Sequence, residues 1–380
     1  MVSCKWLIQV TRKCGNWHIA QHQMQQKQLM IPKQTFTEYQ NSLPMIIERG
    51  LTKLRCHPEL CERLKRLTEY NVVCGKQLRG LLTISSCQAL TDKEFFCHDD
   101  LQQKVFALAW AVEMLHAYFL ITDDMEDGAK TRRGRPCWHL LPDVKAFVVN
   151  DVGMFRGFIN EILKQYFGKE DVYPKLLNIF NDAYLNTHIG QFKDTMSSTV
   201  KDYSNFTMER YITTVKYKTA FYSFQFPILL GLALSNKGNE DAYRLVETLC
   251  LDVGLLLQMK NDFLDLYEDE SVGGKSGTDI QEGKCSWLSL TALKHCSQLQ
   301  RKEFEENYGK WEQSSVNKIR ALYNELNLPK IFANEQKYIY QSLCERVIKL
   351  PKDSIPPSEL FTKLVNMVGN VGNIKYENEK

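Results

Sequence analysis

No acidic residue occurs before Glu38, although Lys5, Arg12, Lys13, Lys27 and Lys33 precede it. A basic, acid-free start can be a mitochondrial transit peptide, but this one is poor in Arg and Ser, and QHQMQQKQ at 21–28 reads as an unstructured lead. Residues 1–35 are set apart on this basis as a disordered or transit extension, which leaves the location cytoplasmic, or mitochondrial if the stretch is cleaved as a transit peptide. The chain has 12 cysteines but no CxxC pair and no zinc-like Cys/His spacing, which fits reduced thiols in an intracellular protein. A net charge of only +3 gives no sign of a nucleic-acid partner. The longest apolar run, residues 105–121, is interrupted by Glu113 and His116; it falls short of a membrane span and reads as a buried helix. Internal repeats and Pro-, Gly- or Ser-rich linkers are missing, and period-two alternation hardly occurs, so strands are not expected. What is left is one all-α domain over 36–380, a bundle of roughly ten or more helices.

The most informative stretch is VFALAWAVEMLHAYFLITDDMEDGAKTRRGRPC at 105–137. Its apolar run ends abruptly in Asp123, Asp124, Glu126 and Asp127, followed by Lys130, Arg132 and Arg133. On a helix Asp123 and Asp127 share a face, about 5–6 Å apart. Close like charges repel, and burying them is costly. A cation relieves this, and ligands that are all oxygen favour Mg²⁺. The two arginines point to an anion arriving with the metal, because guanidinium binds two phosphate oxygens at once. The first reading is a Mg²⁺–diphosphate site at the mouth of an apolar pocket; the bland alternative is a solvated helix end.

A second acidic cluster, NDFLDLYED at 261–269, spaces Asn261, Asp265 and Asp269 four apart, with Asp262 beside them. A prenyl diphosphate held between two such helix ends would place its diphosphate on the metal and its tail in the bundle. Cations there stabilise the charge developing on a leaving diphosphate. The aromatic faces of Tyr118, Phe119, Phe221 and Tyr222 could stabilise an allylic cation, against the plainer reading of core packing. Lys218 with Thr219, Lys275 in the Gly-rich loop VGGKSGTD, and Lys284 are further candidates for oxygen contacts.

With GKQLRG, DDMEDGAKTRRGRPCW, GQFKD, KYKTAFYSF, NDFLD, GGKSGTDIQEGKCSWL, NYG and LYNELNLP in order, the chain resembles the farnesyl diphosphate synthases over about residues 36–376. The resemblance implies an isoprenoid synthase fold around a central prenyl-diphosphate cavity, a homodimer and a site for three Mg²⁺ ions. It implies metal ligands at Asp123, Asp127, Asn261 and Asp265. A grip on the allylic diphosphate is implied at Arg132, Lys218, Thr219, Gln258, Lys275 and Lys284, supported by Gln191 and Asp194. Tyr118 and Phe119 stand at the positions that set chain length, and two bulky rings there imply a limit near about fifteen carbons. Lys76, Arg79, His116 and Arg133 fall in the pocket for isopentenyl diphosphate.

Several positions depart from the family pattern. His116 stands where a Gln is usual, Leu78 replaces Asn, Cys74 replaces Gly, and Asn261 replaces the first Asp of the second motif. The chain end, IKYENEK, carries Glu377 and Glu379 where the family is basic. A reversed sign beside a diphosphate weakens binding. The ionising half of the site thus reads as intact and the condensing half as eroded. The expectation from sequence is a class I terpene synthase that ionises farnesyl diphosphate to a sesquiterpene hydrocarbon or alcohol. Its alternatives are a farnesyl or geranyl diphosphate synthase, or a weak prenyl-diphosphate-binding subunit.

Overall fold

The computed structural model describes residues 31–55, 57–73, 75–91, 99–199, 202–267 and 277–369. The transit or leader reading of the N-terminus concerns residues that lie largely outside this set, as do Cys74, Asp269, Lys275, Glu377 and Glu379. The first half of the fold comprises α1 (Lys33–Gly50), α2 (Pro58–Asn71), α3 (Leu78–Leu90), α4 (Asp99–Glu126), α5 (Val148–Phe167) and α6 (Tyr173–Thr199). Next come α7 (Met208–Val215), a π-helical segment (Lys216–Gln225), α8 (Phe226–Leu234) and α9 (Glu240–Tyr267). The chain closes with α10 (Asp279–Glu282), α11 (Trp287–His295), α12 (Gln298–Asn307), α13 (Gln313–Glu325), α14 (Leu328–Ile348) and α15 (Ser358–Gly369).

The all-α expectation holds. The strands among the described residues are the two-residue pair β1 (Thr131–Arg132) and β2 (Arg135–Pro136), antiparallel with Arg132 opposite Arg135. Arg133 and Gly134 between them both have positive φ, 55° and 71°, the conformation a two-residue hairpin requires. This small hairpin, which the periodicity did not reveal, aims Arg132 back at the end of α4 and turns Arg133 to the Asn71 carbonyl.

The middle of helix α4 is apolar all round because it is enclosed all round. Residues Val105 to Leu115 are buried without a break, and α3 and α5 pack on it directly. At 28 residues it is long and apolar enough to cross a membrane, longer than the interrupted run suggested, but 83% of its apolar window is buried inside the protein. Helices α6 and α9 clasp the π segment from two sides, and α8 packs against α3. The acidic end of α4, the π segment and the end of α9 are thereby gathered at one end of the bundle.

The break expected at Pro227 takes a specific form. The π turns end at Gln225, and Pro227 sits in the first turn of α8, where its missing N–H costs nothing. Two glycines let the widened π backbone fit. A Cβ on Gly190 of α6 would fall 2.1 Å from the Lys218 backbone nitrogen, and one on Gly254 of α9 would fall 2.4 Å from Ala220 Cβ.

Candidate active site

The last turn of α4 is closed by the Asp127 N–H donating to the Asp123 carbonyl at 2.9 Å, so both carboxylates leave the helix at the same end. Lys218, from the π segment, donates to Asp194 Oδ2 at 2.6 Å and to Asp123 Oδ1 at 3.3 Å. Lys284, just before the Ser286 capping box of α11, lies 2.9 Å from Asp127 Oδ2, 3.0 Å from Glu282 Oε2 and 3.7 Å from Asp194 Oδ2. Arg132 lies across Asp124, with Nε 2.9 Å from Oδ1, and its Nη2 is 3.2 Å from Asp123 Oδ2. The end of α4 with its hairpin, α6, the π segment and the turn around Glu282 and Lys284 therefore converge on one knot of charge.

Burial raises the Asp127 carboxyl above its ordinary range, and Asp123 adds to the rise. Burial also works to raise Asp194, but Lys218 and Lys284 outweigh it and hold that carboxyl low. The same burial opposes the charge on Lys218, Lys284 and Arg132, and the surrounding carboxylates overcome it in each case. Five carboxylates (Asp123, Asp124, Asp127, Asp194 and Glu282) meet three cations here. A donor set made wholly of oxygen, with negative charge to spare, fits Mg²⁺. Among the described residues no group of three His, Cys, Asp or Glu side chains is already gathered as a metal cage, so the fit is one of donor chemistry.

The second acidic cluster is divided in space. Asn261 is exposed near the end of α9, and Asp265 Oδ2 accepts the Asp279 N–H at 3.1 Å. Asp262 turns inward. It accepts from Gln258 Nε2 at 2.7 Å, the Trp287 N–H at 2.8 Å and the Tyr211 hydroxyl at 2.9 Å, while Thr219 donates to Gln258 Oε1 at 2.7 Å. Burial pushes the Asp262 carboxyl up to about 6 against the pull of those donors. Thr219 and Gln258 are thus held in one chain of hydrogen bonds anchored on Asp262.

On the opposite side, Lys76 is exposed ahead of α3, while Arg79 is tied into the bundle. Arg79 Nη1 lies 3.1 Å from His116 Nε2, and Nη2 donates to Tyr222 at 2.9 Å and Ser223 at 2.7 Å. A guanidinium can only donate, so His116 Nε2 is the acceptor and its proton sits on Nδ1, 3.4 Å from the Tyr222 hydroxyl. Burial, with Arg79 and Arg133 nearby, lowers the His116 pKa well below its ordinary value, in line with the neutral ring that the Arg79 contact requires. Arg133 is fixed by donating to the Asn71 carbonyl at 2.9 Å, and burial lowers its pKa to about 10. The buried Glu113 accepts the Gly80 N–H at 2.7 Å.

Tyr118 and Phe119 are almost fully buried and close against α6. The Tyr118 hydroxyl is 3.0 Å from His188 Nε2, and the Phe119 ring meets His188 and Tyr222 at 5.5 and 5.3 Å between centroids. His188 was not singled out in the sequence, nor were the roles of Asp124 and Glu282 as partners of Arg132 and Lys284. Asp124 had a signal, since it adjoins Asp123 in the acidic run; for His188 there was none.

Comparisons with known proteins bear on the whole arrangement. The family model for polyprenyl synthetase matches residues 61–326. Farnesyl pyrophosphate synthase 2 of Arabidopsis thaliana is 39% identical over 292 residues, 75% of this chain and 83% of that protein. The farnesyl pyrophosphate synthase of Mus musculus is 35% identical over 341 residues, 88% of this chain and 95% of that protein. Among solved structures, the T. brucei farnesyl diphosphate synthase complexed with risedronate has a TM-score of 0.80 at 27% identity, covering 91% of this chain and 100% of that one.

Proposed function

The chain belongs to the polyprenyl synthetase family, and from that premise we propose that it is a short-chain isoprenyl diphosphate synthase, joining an allylic diphosphate to isopentenyl diphosphate. The likeness to farnesyl pyrophosphate synthases supports this reading over the terpene synthase expected from Cys74, Leu78, His116, Asn261 and the acidic chain end. The observation that carries it is the 3.1 Å contact between Arg79 and a neutral His116. An imidazole that accepts from Arg79 and stays uncharged offers the polar contact of a Gln and adds no like charge to the Arg79–Arg133 pair. At His116, what reads in sequence as erosion is a hydrogen-bonding substitution.

In this reading the allylic diphosphate is gripped by Arg132, Lys218 and Lys284, with Lys275 of the Gly-rich sequence VGGKSGTD. Arg132, Lys218 and Lys284 now rest on Asp123, Asp124, Asp127 and Asp194, so these three are already aimed where the anion arrives. Bound Mg²⁺, held by Asp123 and Asp127 with Asn261 and Asp265 from α9, would supply positive charge for the departing diphosphate. Lys76, Arg79 and Arg133 hold isopentenyl diphosphate beside His116. The allylic carbon–oxygen bond breaks, a carbon–carbon bond to isopentenyl diphosphate forms, and a proton is lost to leave the new double bond. The rings of Tyr118 and Phe119 stop growth near about fifteen carbons. Leu185, Phe192 and Met196, exposed on one face of α6, form a surface for a second copy of the chain.

Purified protein with Mg²⁺, geranyl diphosphate and isopentenyl diphosphate is expected to yield farnesyl diphosphate. A cyclic sesquiterpene from farnesyl diphosphate alone, with no elongation in the paired tube, would overturn the proposal in favour of the terpene synthase.

A further inference from the structure

Glu113 and His116 are the polar side chains that interrupt the apolar run of α4. His116 meets the Arg79 guanidinium at 3.1 Å. Glu113 is 2% exposed and makes none of the ion pairs of the charge knot. A carboxyl is costly to bury, so what it holds is informative. Three apart on a helix, the two side chains share a face, and that face is turned to the first turn of α3.

That turn lacks a cap of its own. The first N–H groups of a helix have no acceptor within it, and the N-cap side chain ordinarily supplies one. The N-cap of α3 is Gln77, left-handed at φ 52°, and its side chain does not cap. Its amide donates to the Val73 carbonyl at 3.4 Å and accepts from Gln40 instead. Glu113 Oε1 accepts the Gly80 N–H at 2.7 Å in its place. Burial raises the Glu113 carboxyl above its ordinary range, while the Gly80 N–H, the Arg79 and Arg133 guanidinium groups and the Arg79 N–H pull it back. Lys218, Lys284 and Arg132, which grip the allylic diphosphate, are not among its polar partners. The helices are in close contact here. A Cβ on Gly80 would fall 2.7 Å from the Tyr39 hydroxyl, 3.0 Å from Glu113 Cγ and 3.1 Å from the Ala109 carbonyl oxygen. The cap of α3 is thus delivered by α4, across a contact that leaves little room for a methyl group.

We propose that Glu113 is a positioning residue for isopentenyl diphosphate: by accepting the Gly80 N–H it fixes the first turn of α3, and with it Arg79. The inference rests on the reading that Arg79 and Arg133 bind that co-substrate. His116 holds the guanidinium of Arg79, and Glu113 holds the backbone from which that side chain springs. With both ends tied to one face of α4, Arg79 meets the diphosphate already ordered. The role belongs to an acceptor rather than to a charge. A carboxamide can fill it, whereas a hydrocarbon side chain leaves the Gly80 N–H buried and unpaired.

The test is steady-state kinetics of the full chain with Mg²⁺, geranyl diphosphate and isopentenyl diphosphate, varying one substrate at a time. Glu113→Leu fills similar space without an acceptor. It is expected to raise KM for isopentenyl diphosphate about tenfold and to leave KM for geranyl diphosphate within about twofold. Glu113→Gln is expected to keep both constants within about twofold of wild type. Glu113→Asp retains the carboxyl but falls one methylene short of α3, so it is expected to follow Glu113→Leu and replaces it if that variant does not fold. A general loss of structure would move both KM values and would not be rescued by Gln. Both values rising together, or Gln as impaired as the loss variant, overturns the inference. An unchanged KM for isopentenyl diphosphate in the loss variant overturns it equally. Each of these outcomes leaves the synthase reading standing. If the wild-type protein joins no isopentenyl diphosphate to geranyl diphosphate, the synthase reading falls and this inference falls with it.

Discussion

Asp262 shows how much one buried carboxyl can organise. It joins α9 to α7 through Tyr211, to α11 through the Trp287 N–H, and to the π segment through Gln258 and Thr219. Its folded pKa, about 6, lies above the ordinary 3.8 because burial disfavours the charge. Between those values the folded protein keeps a proton that the unfolded chain has lost. This group's contribution to stability therefore falls as pH rises through the window and is flat above it. In Asp262→Asn the fall disappears. The wild-type advantage in unfolding free energy, from urea titrations at pH 4 to 7, is expected to shrink by about 2–3 kcal/mol as pH rises. A constant difference would show that burial of this carboxyl is not the cause. Asp123 plays the opposite part, at the centre of the charge knot. Asp123→Ala is expected to lower diphosphate release by about a thousandfold or more while the protein stays folded. Turnover close to wild type would remove Asp123 from the site.

At the level of elements, the π segment sets the geometry. A π-helix is rare and tends to mark functional positions, because its wider turns leave backbone strain that close packing must compensate. Here Gly190 and Gly254 provide the packing from both sides. A methyl group at Gly190 has nowhere to go but into the Lys218 backbone, 2.1 Å away, and no side-chain rotation relieves a backbone clash. Gly190→Ala is expected to cost about 2–4 kcal/mol in denaturant unfolding and to lower kcat disproportionately, since Lys218 and Thr219 ride on the displaced turn. Normal kinetics in a merely destabilised Gly190→Ala protein would mean that the π turns do not set the position of Lys218.

Across the whole molecule, the site is an end-of-bundle assembly whose members come from α3, α4, the hairpin, α6, the π segment, α9 and the loop before α11. Such a site depends on the helices keeping their spacing. The exposed row Leu185, Phe192 and Met196 lies on α6, the helix that also carries Asp194 and Gln191, so covering that row would stiffen the site as well as hide apolar surface. Sedimentation is expected to give twice the chain mass, and Phe192→Asp to give the single mass with weakened turnover. A wild-type protein that sediments at the single mass would contradict the paired arrangement.

The sequence by itself determined the all-α class, the core helix α4 and the family, because these follow from periodicity and from residues close together along the chain. The pairing of Asp123 with Asp127 was legible for the same reason. Partners that meet only through folding were not: Lys218 with Asp194, Lys284 with Glu282, His188 under Tyr118, and the inward turn of Asp262 while Asn261 faces outward. The sign of the His116 substitution was decided last of all. In a list of residues it reads as a lost Gln, and only burial beside Arg79 and Arg133, which strips the ring of its proton, makes it a neutral acceptor. Helical periodicity is a local property that a sequence carries in full, whereas protonation and pairing depend on which charges the packed bundle brings within a few ångströms.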